Sequence, residues 1–296
     1  MAEESNDFRD SISISRRIAK SFAEDQQKFE GIEDPDEFLE ILFDETYSDY
    51  SKKFLDNVSK FVKHKIHVEK FKISDIILFI GNNVEFETQV HKREVQHNFD
   101  HKFGTTTGII IDIFDFEEVN SESDLFNYVR YVPSPLDAIH SILNSLKEFN
   151  VVYEDSIFID IGSGLGRNLL VASEYPFKQI IGIELISKLH EIAEWNIKLY
   201  ENSEQNCRNI KSICINVLDF DFPEHDNLIL YFYNPFSEVV FADFFEKILD
   251  FIMYKQRKFK LIFLHVVYNI VEKSAFFKQE KSFQSKWGRI SIYTNY

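Results

Sequence analysis

In the stretch SIFIDIGSGLGRNLL, Ser156 to Leu170, an apolar run ends on three glycines, Gly162, Gly164 and Gly166, and continues at once as a helical pattern. The whole chain has only nine glycines, so three within five residues mark a backbone that must turn sharply or be approached closely. The flanking pattern repeats. Apolar strands are predicted at Ile157–Ile161, Gln179–Glu184, Lys211–Val217, Leu228–Tyr233 and Phe259–Val266, with helices at Arg167–Glu174, Ser187–Tyr200 and Glu238–Met253 between them. Helices between strands at this spacing imply right-handed βαβ units and a doubly wound, mostly parallel α/β sheet. The closing GRISIYTNY reads as one more strand, suited to hairpin pairing.

Upstream of this alternation the grain is helical. In YVPSPLDAIHSILNSL, Ser134 is placed to cap, Pro135 suits a first turn, and Leu136, Ile139, Ile142, Leu143 and Leu146 trace one face. Further back, DPDEFLEILF sets Asp34 as an N-cap before Pro35. From Tyr47 onward, Phe54, Leu55, Val58, Phe61 and Val62 recur at helical spacing. The lysines among them (Lys52, Lys53, Lys60, Lys63 and Lys65) read as a solvated face. The predicted organisation is a mainly helical N-terminal cap or substrate region, 1–98, and a core domain, 99–296.

Charge and composition exclude some roles. A formal net charge of −16 disfavours broad nucleic-acid binding. The acidic start, MAEESNDFRD, is no signal peptide, and the longest clean apolar run, Ile76–Ile80, is too short to span a bilayer. Two cysteines without C-x-x-C spacing suit a reducing, cytoplasmic setting, with signal-independent export left open. His97 and His101 stand at i, i+4, but no third ligand has convincing spacing, so no metal is expected. Trp287 reads as packing for the last strands, with a pocket-lining role as the alternative.

The glycine turn lies where an open α/β sheet binds its ligand, at the carboxyl end of a strand and the start of a helix. Glu184 ends the next strand, 22 residues beyond Gly162, about where an acid meets ribose hydroxyls. Nicotinamide and S-adenosylmethionine (SAM) sites share that geometry. The nicotinamide fingerprint would need glycine at Arg167; here the third glycine comes one residue early, giving D-x-G-x-G-x-G from Asp160. That run resembles motif I of class I SAM-dependent methyltransferases. The resemblance implies a Rossmann-like core with a mostly parallel seven-stranded sheet, and SAM as cofactor. It also implies cofactor contacts from Asp160, Gly162, Ser163, Gly164, Gly166, Arg167, Glu184 and Leu185. After the third strand, INVLDFDFP aligns Asn216 with the family's adenine-binding acid, with Val217 flanking the ring and Asp219 close behind.

The motif YFYNPF ends the fourth strand at Asn234, Pro235 and Phe236 and resembles the (N/D/S)-P-P-(Y/F) motif of amino-group methyltransferases with one proline missing. An amide oxygen and a backbone carbonyl can orient a neutral amine without adding full charge, and Phe236 would offer a π face. FDHKFGTTTGI (Phe99–Ile109) and YVP (Tyr131–Pro133) resemble the segment before motif I in a bacterial group whose core looks like the non-SET histone lysine methyltransferases. That similarity would fold Thr106, Thr107 and Tyr131 over the cofactor's methionine end. The expectation is N-methylation of an amino group, best on a protein side chain such as lysine. A small-molecule or RNA acceptor, or a non-catalytic SAM-binding module, stands as the alternative.

Overall fold

The computed structural model describes residues 26–44, 52–111, 130–225, 227–255 and 257–296. By contacts the chain divides into two compact units, residues 1–95 with 110–131, and residues 96–109 with 132–296.

The first unit is helical: α1 (Pro35–Asp44), α2 (Lys52–His67) and most of α3 (Ile73–His97). Asp34 caps α1 as expected, its Oδ1 accepting the amides of Asp36 at 2.8 Å and Glu37 at 3.1 Å. Tyr47 lies outside the described residues. Phe29, Phe38, Leu39, Leu42, Val62, Ile73 and Ile76 form this unit's core. Lys63 pairs with Asp36 at 2.6 Å, and Lys65 with Glu69 at 2.6 Å.

The second unit opens with the short α4 (Phe99–Phe103) and α5 (Leu136–Ser145). It then builds β1 (Ile157–Ile161), α6 (Arg167–Ala172), β2 (Gln179–Glu184), α7 (Ser187–Leu199), β3 (Ile210–Cys214), β4 (Asn227–Phe232), α8 (Glu238–Lys255), β5 (Lys258–Leu264), α9 (Asn269–Glu272), β6 (Lys278–Ser285) and β7 (Gly288–Thr294). The seven strands lie in the order β3-β2-β1-β4-β5-β7-β6. β1 to β5 run parallel; β7 is antiparallel to β5 and closes a hairpin with β6. The strand order reverses beside β1, which puts the glycine turn at the topological switch point.

Several element ends differ from expectation for local reasons. Ser134 does not cap α5: Pro135 holds the N-cap position at φ −63° and ψ 128°, and the buried Ser134 hydroxyl lies 3.4 Å from the Tyr231 hydroxyl. β3 stops at Cys214 because Asn216 caps a 3-10 turn, Val217–Asp219. β5 stops at Leu264 because His265 takes φ +75°. β6 falls outside the strands predicted from the apolar pattern, and all its side chains are exposed or half-buried.

Every residue of β1 is buried, as a strand covered on both faces must be. Phenylalanine fills one side of the sheet. Phe241 on α8 is fully buried, stacks on Tyr268 with centroids 3.8 Å apart, and meets Phe232 and Phe263 edge-on at 5.5 and 5.9 Å. Among the described residues no helix is long and apolar enough to cross a membrane. Phe241→Ala should cost about 3–5 kcal/mol and lower the thermal midpoint by on the order of 10 °C, read by calorimetry.

Candidate active site

The turn after β1 is fastened to β2. The amides of Gly162 and Ser163 both donate to the Ile183 carbonyl, each at 2.9 Å. Gly162 sits at φ +75°, and a Cβ there would lie 2.7 Å from Pro235 Cβ. Both the left-handed backbone and the close approach require glycine. The contact also brings the end of β4 against the turn.

Glu184 is held in place by backbone donors. Its Oε2 accepts the Gly164 amide at 2.8 Å and its Oε1 the Ile186 amide at 2.9 Å. Burial raises its pKa, and these N–H groups oppose the rise. Leu185 beside it is partly exposed. Asp160 is buried next to the turn and accepts one bond from Asn168 Nδ2 at 3.0 Å. Burial pushes its pKa from the ordinary 3.8 to about 7; the Asn168 bond lowers it and the Glu184 charge raises it further. Ser163 Oγ and Asn168 Oδ1 are buried without a hydrogen-bond partner among the described residues.

The FGTTTG stretch is folded around a residue that the sequence reading passed over. Asp100 accepts from the Thr105 hydroxyl at 2.8 Å, the Thr107 hydroxyl at 2.7 Å and the amides of Thr107 and Gly108 at 2.9 and 2.6 Å. Arg167, buried to 1% exposure, donates Nε–H to Thr107 Oγ1 at 2.9 Å and lies 3.8 Å from Asp100 Oδ2. Asn196 on α7 then ties this loop to the glycine turn. Its Oδ1 accepts the Thr106 amide at 2.8 Å, and its Nδ2 donates to the carbonyls of Thr106 and Leu165 at 2.8 and 2.9 Å. The structure therefore brings Thr106, Thr107 and Arg167 together with the glycines. Tyr131 belongs to the helical unit, where it exchanges backbone hydrogen bonds with Ile111.

At the end of β3, the Asn216 side-chain Oδ1 accepts the Leu218 amide at 2.9 Å, so it serves as a local cap. Val217 is buried and Asp219 exposed. At the end of β4, Asn234 is half-buried in the left-handed region at φ +47°, which asparagine tolerates. Phe236 departs from its expected role. Its ring is buried against Phe241 and Phe244, and its carbonyl takes the Tyr268 hydroxyl at 2.8 Å, so it packs the core rather than offering an open π face. The His97 side chain lies outside the described residues.

Residues 137–230 match the family model described as histone methylation protein DOT1. With the strand order, the glycine turn and the acid ending β2 already in place, that match decides the fold's identity. This core is that of a class I, SAM-dependent methyltransferase. Solved structures similar to it include an RNA methyltransferase from Salinibacter ruber in complex with S-adenosyl-L-homocysteine (16% identity, 55% of this chain and 94% of the other, TM-score 0.39). Others are a magnesium protoporphyrin IX methyltransferase from Synechocystis PCC 6803 with bound SAM (10%, 54% and 77%, TM-score 0.40) and a ribosomal protein L11 methylase from Lactobacillus delbrueckii subsp. bulgaricus (13%, 57% and 80%, TM-score 0.39). No curated protein matches the chain.

The residues present fit SAM. A buried carboxylate with a raised pKa suits the cofactor's ammonium group, and Ser163 Oγ and Asn168 Oδ1 supply polar atoms still to be satisfied. Glu184 would meet the ribose hydroxyls. Glu184→Ala and Gly164→Arg should each weaken SAM binding about ten- to hundredfold by calorimetry; unchanged affinity in both would place the cofactor elsewhere.

A second test follows from Asp160. Its folded pKa is raised, so its contribution to stability is complete below its ordinary 3.8 and is lost as pH rises through about 7. The cofactor-free methyltransferase should therefore melt lower at about pH 8 than at about pH 5, and Asp160→Asn should reduce that difference. An unchanged difference in the variant would exclude Asp160 as its source.

Proposed function

We propose that the protein N-methylates an amino group, with a lysine-like protein side chain as the acceptor. The observation that carries this reading is the placement of Asn234-Pro235-Phe236 at the end of β4, with Pro235 packed on Gly162 of the cofactor turn. The description of the matching family model, histone methylation, supports the same acceptor class. A net charge of −16 favours a basic acceptor over a phosphate backbone.

SAM supplies a methyl group on a sulfonium centre. The chain's residues would orient the nitrogen that attacks it and keep that nitrogen neutral. A lysine must first release its proton to solvent, which from a pKa of about 10.4 costs roughly 4–5 kcal/mol at pH 7. The Asn234 amide oxygen and the Pro235 carbonyl would accept N–H bonds from the amine and aim its lone pair. Neither holds the ammonium form as a carboxylate would. When bound, SAM would give up this methyl to the amine nitrogen and keep the C–S electron pair on sulfur, and the residues of the chain would only orient and shield the two partners. Thr106 and Thr107, held by Asn196 and Asp100, would shield the methionine end from water.

Incubating host-cell protein with labelled SAM and mapping the modified residues by mass spectrometry tests the acceptor; label confined to RNA or to small molecules would overturn the protein reading. Once an acceptor is in hand, Asn234→Ala should cut single-turnover rates by on the order of a hundredfold while SAM affinity stays within a few-fold. Asn234→Asp should also be slow with an amine acceptor. Full activity in Asn234→Ala would remove the support for amine chemistry.

A further inference from the structure

Two neighbouring strands end in the same unusual way. The parallel register pairs Phe232 on β4 with Phe263 on β5, and continuing it sets Asn234 level with His265. Both residues take positive φ, 47° and 75°. Few non-glycine residues enter that region; asparagine and histidine are among those enriched there, and two side by side at one sheet edge ask for a reason. Burial is not the reason, because His265 is exposed.

Two segments, the end of β4 and the start of β7, hold this one residue. The His265 amide donates to the Arg289 carbonyl at 2.8 Å, fixing the backbone against β7. The imidazole stacks on Tyr233, with centroids 5.3 Å apart and planes 19° from parallel. Gly288 makes room for the ring from the other strand: a Cβ there would lie 2.3 Å from His265 Nδ1 and 2.5 Å from Cε1. Tyr233 directly precedes Asn234, and Pro235 touches the cofactor turn. The stacked rings thus stand at the carboxyl edge of the sheet, next to the residue assigned to the reacting nitrogen.

We propose that His265 is a positioning residue for the methyl acceptor, which with Tyr233 forms an aromatic wall that receives the alkylammonium arm beside Asn234 before its proton leaves and faces the positive charge that returns to nitrogen on methyl transfer. The proposal rests on the N-methylation reading. The Tyr233 stack and the Gly288 gap hold the ring at the sheet edge beside Asn234. An aromatic wall favours a cationic arm over an apolar one by cation–π attraction, whereas a purely structural stack would not distinguish the two.

The test uses two adenosine analogues that keep the methionine portion and carry, on a nitrogen in place of the sulfonium, either an ammoniopropyl or a plain propyl chain. The full-length wild type should bind the ammoniopropyl probe about tenfold more tightly than the propyl probe. In His265→Asn, which keeps a side chain suited to positive φ, that ratio should fall to within about twofold, with S-adenosylhomocysteine affinity unchanged. Gly288→Ala, which retains the imidazole but takes its space, should lower the ratio in the same way. An equal ratio in wild type and His265→Asn, no preference in the wild type, or a parallel loss of S-adenosylhomocysteine binding would each overturn the proposal. A lysine-rich peptide assayed with labelled SAM separates the two levels. If the wild type leaves the peptide unmethylated while the probe ratio is present and depends on His265, the lysine reading falls and the wall stands.

Discussion

Gly162 has no side chain, and the ends of β1, β2 and β4 meet at it. Its amide and that of Ser163 share the Ile183 carbonyl, which locks the exit of β1 to the last residues of β2. The lock delivers Glu184 to the Gly164 amide. On its other side Pro235 occupies the position a Cβ would take, so β4 ends against the same turn. The glycine turn, Glu184 and the end of β4 are therefore set by one residue. Interiors packed this densely do not absorb an added atom locally; any substitution at Gly162 would shift all three.

A polar scaffold does the equivalent work on the other face of the turn. Asp100 satisfies two hydroxyls and two amides of the threonine loop. Arg167 lies beneath that loop, bonded to Thr107 and stacked over Phe99 with its guanidinium 5.5 Å from the ring centre. A guanidinium this deeply buried is tolerated only because its partners are fixed. Removing one would leave charge or polar groups unpaired at low dielectric, which costs more than the lost bond itself. Asn196 completes the arrangement by gripping Thr106 on both its amide and its carbonyl while holding Leu165. The loop and the turn are thus one hydrogen-bonded body.

Much of this was legible in the sequence where the signal is local. β1 and β2 fall on the residues expected, because a strand buried on both faces reads as an unbroken apolar run. The glycine run marked its turn because backbone approach excludes side chains, and the acid at Glu184 followed at the right distance. What escaped depends on distant partners. Asn196 looks like any polar residue on a helix until Thr106, ninety positions away, is placed beside it. Asp100 offered a weak clue, an acid just ahead of three threonines and a glycine, which is the composition of a side-chain-capped loop. β6 alternates too little to stand out, being an edge strand with one partner. Phe236 was misjudged because a motif position does not reveal which way a ring turns, and here Phe241 and Phe244 claim it.

Asp160 and Glu184 sit close enough to the same turn that Glu184's charge raises Asp160's pKa, yet the chain treats them differently. Burial raises the Glu184 pKa, and backbone donors from Ile186, Gly164 and Leu185 oppose that rise whether or not anything is bound. Asp160 has a single amide, Asn168 Nδ2, and a pKa near neutrality. Its ionisation therefore depends on what else enters the site, and a cationic group placed beside it would draw its proton off. The neighbouring Arg167 cannot take that part, since its guanidinium is committed to Thr107 and lies by Asp100. The fold thus supplies one acid with several donors and leaves the other to its ligand. A neutral molecule of the same shape would forgo the second interaction, and charge as well as shape would select the occupant of the turn.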